Sequence, residues 1–206
     1  MISKEFYKRF SSSEYILIYQ LDAWVFKDEL LEWCNNGYDY IGAPLYEGFG
    51  EAKENSAFLG IGNGGLSLRK VSSHLKVLHS FAFIRSFKEL EEKKYQDKKI
   101  TPVQKIKLLL EFVTANNTFH LLNHYDYNED TFWGVIISRK FKWFKVPDEQ
   151  TASRFSMEVK APYLYHSNHN TLPFGCHAWE KYHLDFWSRF IQLNQNTYTN
   201  LWFFRI

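Results

Sequence analysis

Residues 14–26, EYILIYQLDAWVF, form an apolar and β-branched run interrupted by Gln20 and Asp22. A strand buried on both faces reads as such a run, and polar groups that interrupt it need a use. The segment is therefore expected at the centre of a sheet, and Asp22 becomes the first candidate functional residue. Capping the turn after a strand is the other use an aspartate has there.

The remaining pattern surrounds that strand with helices. Residues 27–36 have helical spacing at Leu30, Leu31 and Cys34, with Gly37 placed to cap the end. Residues 38–44 read as a second strand, and 45–60 as a loop entering a third at GIGNGGLSLRK. Ser72 or Ser73 can cap a helix running to about Phe83, and FKELEEKKYQDKK reads as a solvated helix. Thr101-Pro102 opens an amphipathic helix with Ile106, Leu109, Leu110 and Val113 on its apolar side, which reads as scaffold. Glu129 and Asp130 sit at the start of a helix, where acids favour the positive end of its dipole. FKWFKVP reads as a strand, DEQTASRFSME as a short helix, and FGCHAWEKYHLDFWSRF as a loop passing into a last helix. With no internal repeat or linker, residues 1–206 form one α/β domain, a mixed sheet flanked by helices, in which 14–26, 38–44 and 64–69 are neighbouring strands. An exposed edge or apolar face near the beginning of that sheet would favour self-association.

Composition narrows the functions. Lysine and arginine total 25 against 23 acids, and a net charge of +2 gives no broad footprint for nucleic acid. Two cysteines, Cys34 and Cys176, far apart and without CxxC spacing, indicate neither a disulfide framework nor a zinc site, which suits a reducing cytoplasm. No signal-peptide core and no run of about 18 apolar residues is present, so no transmembrane segment is expected. The C-terminal TNLWFFRI is aromatic and basic enough to touch the inner face of a membrane, with a buried strand or partner contact as the plainer use. The aromatic share of 19% suits both a core and sugar-stacking surfaces.

In order along the chain stand YQLDAWVF, YDYIGAP, GNGGLSLRK, EDTFWG, TASRFSMEV and FGCHAW. As a set, over about Ile16 to Trp179, they resemble GT-A-type glycosyltransferases, and most closely a bacterial family of uncharacterised glycosyltransferases. The resemblance implies a GT-A-like fold and transfer of a sugar from a nucleotide-sugar donor to a glycan or other hydroxyl acceptor. It also implies a divalent cation, Mn2+ or Mg2+, because two carboxylates of an Asp-x-Asp strand end hold the metal that bridges the donor diphosphate. Here the pattern is Gln20-Leu21-Asp22, so Asp22 matches the second acid, while Gln20 contacts nucleotide or a metal-bound water without supplying charge. His177 matches a late histidine that completes the metal or diphosphate site, although a histidine beside Trp179 is also readily packed. Asp130 corresponds to the general base for the acceptor hydroxyl, with Glu129 positioning the acceptor.

Gly64 and Gly65 would admit backbone close to a sugar, and Asn63 offers donor and acceptor groups to hydroxyls, unless the segment is simply a tight turn. It lacks P-loop and dinucleotide spacing. Arg69 faces either a phosphate or solvent at a strand end. Trp133, Tyr125 and Trp179 could stack on sugar faces or belong to the core, and His166 and His169 read as surface residues. Asp22, Asp130 and His177 are expected to share one cleft, since a bridged diphosphate and an acceptor hydroxyl must meet at one anomeric carbon.

In GT-A enzymes a nucleotide-binding half precedes the Asp-x-Asp strand, whereas here that strand begins about fifteen residues into the chain. The expectation is an acceptor-side portion, N-terminally truncated, that is part of a longer sequence, a degenerate copy, or a subunit borrowing its donor half from a partner, and that by itself binds nucleotide weakly. The competing expectation is a noncatalytic glycan-binding or assembly module. A hydrolase built on paired carboxylates fits the ordered motifs less well.

Overall fold

A computed structural model describes residues 2–96 and 98–192. Helix α1 (Lys4–Lys8), capped by Ser3, precedes β1 (Tyr15–Tyr19), β2 (Ala23–Val25), α2 (Leu30–Asn35), β3 (Tyr40–Ile41), β4 (Pro44–Tyr46), β5 (Phe58–Ile61) and β6 (Leu66–Lys70). Then come α3 (Val71–His79), α4 (Phe87–Tyr95), α5 (Pro102–Thr114), α6 (Thr118–Asn123) and α7 (Glu129–Thr131), the last continuing through a π-helical stretch, Phe132–Ile137, into α8 (Ser138–Lys140). The chain finishes with α9 (Glu149–Phe155), β7 (Ser156–Met157), α10 (Ala161–Ser167), β8 (Gly175–His177) and α11 (Leu184–Trp187).

The strands make three small sheets. One is antiparallel in the order β1-β6-β3, one is the β4-β5 hairpin, and in the third β8 pairs antiparallel with β2 and parallel with β7. The fold is therefore mixed α/β, and segments 14–26, 38–44 and 64–69 do contribute neighbouring strands of one sheet. The run 14–26 is neither one strand nor central, however: β1 and β2 each stand at the edge of their sheet, β6 and β8 take the centres, and β1 is only partly buried. Gln20 donates its N–H to Gly65 O (2.8 Å) and Ala23 donates to Gln20 O (3.0 Å), so the chain turns at residues 20–22 and β2 joins a different sheet.

Other expectations are corrected by local hydrogen bonding. Residues 141–147 form a turn closed by the Phe144 N–H donating to Phe141 O (2.8 Å), and Asp39 fastens it, accepting from the Lys145 N–H at Oδ2 (2.6 Å) and donating its own N–H to Lys145 O (2.7 Å). Helix α3 starts directly after β6 without a side-chain cap, and Ser73 donates to Asp39 instead. Helix α5 is capped as expected, by a Thr101 and Gln104 box, yet Ile106, Leu109, Leu110 and Val113 are exposed, and Leu108 is its buried residue. Gly37 adopts a left-handed φ of 72° just past α2, as a C-terminal cap requires. The segment 199–206 lies outside the described residues. Among the described residues no helix is long and apolar enough to cross a membrane, and Cys34 and Cys176 are both free.

Strand β6 is the hinge of the packing because its two faces meet different surroundings. Leu66 and Leu68 join Trp33, Ile41, Phe155 and Phe174 in one apolar cluster. Ser67 and Arg69 point the other way, beneath a second cluster of Tyr7, Tyr40, Trp133 and Phe144. His74 is fully buried in that second cluster, 4.4 Å centroid to centroid from Trp133 and stacked on Tyr7. Its Nδ1 lies 2.8 Å from Lys70 O, so the proton sits on Nδ1.

Burial, with Arg69 nearby as a second cause, pushes the His74 pKa down to about 3. Unfolding frees the ring to take a proton below its ordinary pKa of about 6.5, so this residue makes stability fall as pH drops through that value. Replacing His74 by Phe is expected to remove that contribution. Denaturant titrations of both proteins should show the wild type losing about 1 kcal/mol per pH unit more than the variant between roughly pH 6 and 4.5.

Candidate functional site

The loop Gly62–Gly65 between β5 and β6 organises the site. Asn63 takes a left-handed φ of 70°, and its Oδ1 accepts from the N–H groups of Gly65 (3.0 Å) and Leu66 (3.3 Å). Asparagine suits this position because its short side chain can close such a turn itself. Tyr40 Oη donates to Gly62 O (3.1 Å), and a Cβ on Gly42 would come within 2.0 Å of that same oxygen. The loop is thus held from both sides.

Consecutive residues of the loop touch different functional side chains. The Asn63 N–H donates to Asp130 Oδ2 (2.9 Å), a Cβ on Gly64 would lie 2.7 Å from Glu129 Oε1, and a Cβ on Gly65 would lie 2.0 Å from His177 Nε2. The two glycines are needed for the close passage of these side chains. The loop therefore joins an acidic cluster at the start of α7 to a histidine cluster at the end of β8.

In the acidic cluster the two carboxylates have different fates. Glu129 is engaged by Arg69 in a two-pronged ion pair, Nη1 to Oε2 at 2.9 Å and Nη2 to Oε1 at 2.7 Å. Arg69 is fully buried and also donates to Tyr7 Oη (3.2 Å) and Ser67 Oγ (3.0 Å). Burial alone would favour a neutral guanidine, but the oxygens of Tyr7, Glu129 and Tyr40 outweigh it and hold the proton more firmly. Burial in turn pushes the Tyr7 hydroxyl up to about 12. Arg69 is thus neither a phosphate ligand nor a solvent-facing strand end, and Glu129 is committed to it rather than to an acceptor. Asp130 differs: each of its oxygens accepts one backbone N–H, from Asn63 and from Thr131 (2.7 Å), which leaves a lone pair on each.

In the histidine cluster, His177 Nε2 lies 3.0 Å from Gln20 Oε1 and 3.2 Å from Asp22 Oδ1. Its Nδ1 is 3.3 Å from Glu158 Oε1, off the hydrogen-bond direction, so that contact is electrostatic. Burial opposes the imidazolium most strongly, but Glu158 and then Asp22 outweigh it and hold the pKa above its ordinary value. Glu158, the acid of the FSME motif, carries no local signal of a role. Only the pairing of β7 with β8 brings it to the ring.

Several sequence assignments move to the core. Trp133 is fully buried among Tyr7, His74, Phe132 and Phe144, and Trp179 is packed beside Trp187 and Met157, so neither can stack on a ligand. The Asn63 side chain is spent on its own turn and on Ser156 (3.4 Å), not on hydroxyls. His166 and His169 are exposed, as read. Tyr125, which donates to or accepts from Thr131, lines an apolar pocket of about 480 Å³ with Leu45, Leu59, Val135 and Ile136. That pocket adjoins Asp130, because Leu45 and Asp130 Oδ2 both abut the Gly62 position.

Among the described residues no three His, Cys, Asp or Glu side chains converge on one metal point, because Glu158 faces the opposite ring nitrogen from Asp22. Gln20 Oε1 and Asp22 Oδ1 nevertheless stand 3.0 and 3.2 Å from His177 Nε2, close to the ~3 Å between neighbouring ligands of an octahedral ion bound at about 2.1 Å. One carboxylate, one amide oxygen and one imidazole suit Mg2+ or Mn2+, ions that keep waters and take phosphate oxygens as further ligands.

The family model described as "Protein of unknown function (DUF5672)" matches residues 1–177, the span that holds every residue of both clusters. No curated protein and no solved structure matches the chain.

The Arg69–Glu129 pair generates a stability test. Glu129→Leu leaves a buried guanidinium unpaired and is expected to cost about 3 kcal/mol or more, whereas Arg69→Met combined with Glu129→Leu should cost less than the sum of those two single changes. Urea unfolding of the four proteins measures the difference, and strict additivity would contradict the pairing.

Proposed function

We propose that this chain, which belongs to the DUF5672 family of unknown function, is a GT-A-like glycosyltransferase domain acting on a nucleotide-sugar donor and a hydroxyl acceptor. The single observation carrying this reading is the Gly62–Gly65 loop, which touches Asp130 through Asn63 and His177 through Gly65. One short loop thus links a carboxylate that keeps a lone pair on each oxygen to a carboxylate–imidazole pair suited to metal and diphosphate. The ordered motifs of the sequence support the same reading.

In this proposal Asp130 is the general base. Held by two backbone N–H groups, it takes the proton of the acceptor hydroxyl as that oxygen bonds to the anomeric carbon. The bond from the anomeric carbon to the diphosphate breaks, and the leaving diphosphate keeps the electron pair. Asp22, His177 Nε2 and the Gln20 amide oxygen would hold a Mn2+ or Mg2+ ion, which would supply positive charge beside the leaving diphosphate. Glu129 acts at a distance from the reaction, fixing the start of α7 through Arg69 so that the adjacent Asp130 faces the loop. The apolar pocket beside Asp130 is where the acceptor would lie.

A second reading has its own support. With a carboxylate, Asp22 or Glu158, already against each ring nitrogen of His177, an imidazolium there has its countercharge without any ligand, as in a noncatalytic glycan-binding module. Binding measurements separate the two.

The catalytic reading expects Mn2+ with a uridine or guanosine diphosphate sugar to raise Tm by about 3 °C at roughly five times Kd, equivalent to ~1 kcal/mol. Asp22→Ala and His177→Ala should abolish that rise, while Asp130→Asn should keep it and lose transfer to acceptor. Because Nε2 must lose its proton to ligate, and its pKa is raised, the metal effect should strengthen from about pH 6 to pH 8. A metal effect untouched by Asp22→Ala, or a Tm that responds to glycan and never to nucleotide, would remove the catalytic reading.

A further inference from the structure

Helix α5 has two apolar sides, and only one is used. Leu108 is buried, and Phe112 stacks on Phe83 at 4.5 Å, which fixes the inner side. Val103, Ile106, Leu109, Leu110 and Val113 are each between 53% and 63% exposed. At 3.6 residues per turn these five cover an arc of roughly 120°, with Lys105 beyond one edge and Lys107 beyond the other. The single acid of the helix, Glu111, lies away from that arc and is paired with Lys94. Residues 85–114 carry eight lysines and arginines against five acids.

An exposed apolar stripe of this width, edged by cations and cleared of carboxylate, has the makeup of a helix that lies in the headgroup layer of a bilayer. We propose that α5 is a docking surface for an anionic lipid membrane, with the five apolar side chains entering the interface and Lys105 and Lys107 meeting lipid phosphates. Charge decides among the occupants. Two copies of this chain meeting stripe to stripe would bring the lysine edges together with no acid between them. Residues 193–206 of the chain itself contain one arginine and no acid, so they cannot neutralise those edges either. An anionic lipid surface supplies both an apolar phase and the opposite charge. The proposal does not depend on the glycosyltransferase reading.

The test uses the full chain and sedimentation with phosphatidylcholine vesicles, with and without roughly one-third phosphatidylglycerol. The expected result is binding to the anionic vesicles alone, weakening as salt is raised. Ile106→Asp with Leu110→Asp should lower the partition coefficient at least about tenfold, and Lys105→Glu with Lys107→Glu about ten- to thirtyfold, at one kcal/mol per lysine or somewhat less. These side chains are exposed, so Tm should hold, and Val103→Ser with Val113→Ser gives a milder pair should the aspartates disturb folding. No binding to anionic vesicles would overturn the proposal. So would binding that the α5 variants leave unchanged, which would assign it to another part of the chain. A concentration-dependent dimer in light scattering that Ile106→Asp abolishes would assign the stripe to a second copy and likewise overturn it.

Discussion

Taking the guanidinium of Arg69 out of water costs several kcal/mol, and only a complete set of partners makes that placement stable. Glu129 supplies two oxygens, with Tyr7 and Ser67 accepting from two further N–H groups of the fork. Those partners come from α1, β6 and α7, so one side chain ties the N-terminal helix, the central strand of the main sheet and the start of the long helical segment together. The rest of the site inherits its precision from that requirement. Asp130 follows Glu129 directly, and fixing one acid fixes the origin of the other.

The adjacent acids therefore divide the labour. Glu129 is neutralised by a buried cation and serves the architecture, whereas Asp130 is held by two backbone N–H groups and retains acceptor capacity. The same economy governs the Gly62–Gly65 loop. Asn63 spends its side chain closing the turn, and that turn lets Gly64 and Gly65 pass beside Glu129 and His177 without a Cβ in the way. A loop that is glycine-rich for the sake of its own neighbours also leaves little bulk between the two clusters.

Electrostatics on the far side of the loop works through a single ring. His177 meets acceptors at Nε2 and a carboxylate at Nδ1, an arrangement that favours the imidazolium despite burial. His74, also buried, is surrounded by aromatic rings and Arg69 and is pushed the opposite way. Two histidines of one chain are thus pushed in opposite directions, decided by whether carboxylates or rings and a cation line the cavity.

What the sequence determined by itself is local. The apolar run 14–26 marked strand, though not its place at a sheet edge, Gly37 and the Thr101-Pro102 pair marked helix ends, and GNGG marked a loop entering a strand, because each signal rests on backbone geometry within a few residues. The mixed α/β class and the neighbouring strands of the main sheet were legible for the same reason. Tertiary structure alone decided the rest. Whether Arg69 faced solvent or Glu129 depended on the register that turns Ser67 and Arg69 to one face of β6. Glu158 reached His177 only through the parallel pairing of β7 with β8, and Trp133 and Trp179 were claimed by the core. The turn at residues 20–22 sent β2 to another sheet and put Asp22 beside a histidine 155 positions later in the sequence. Periodicity could show that α5 has an apolar side, but not that a second one, built on Leu108 and Phe112, would take the place in the core and leave the first exposed.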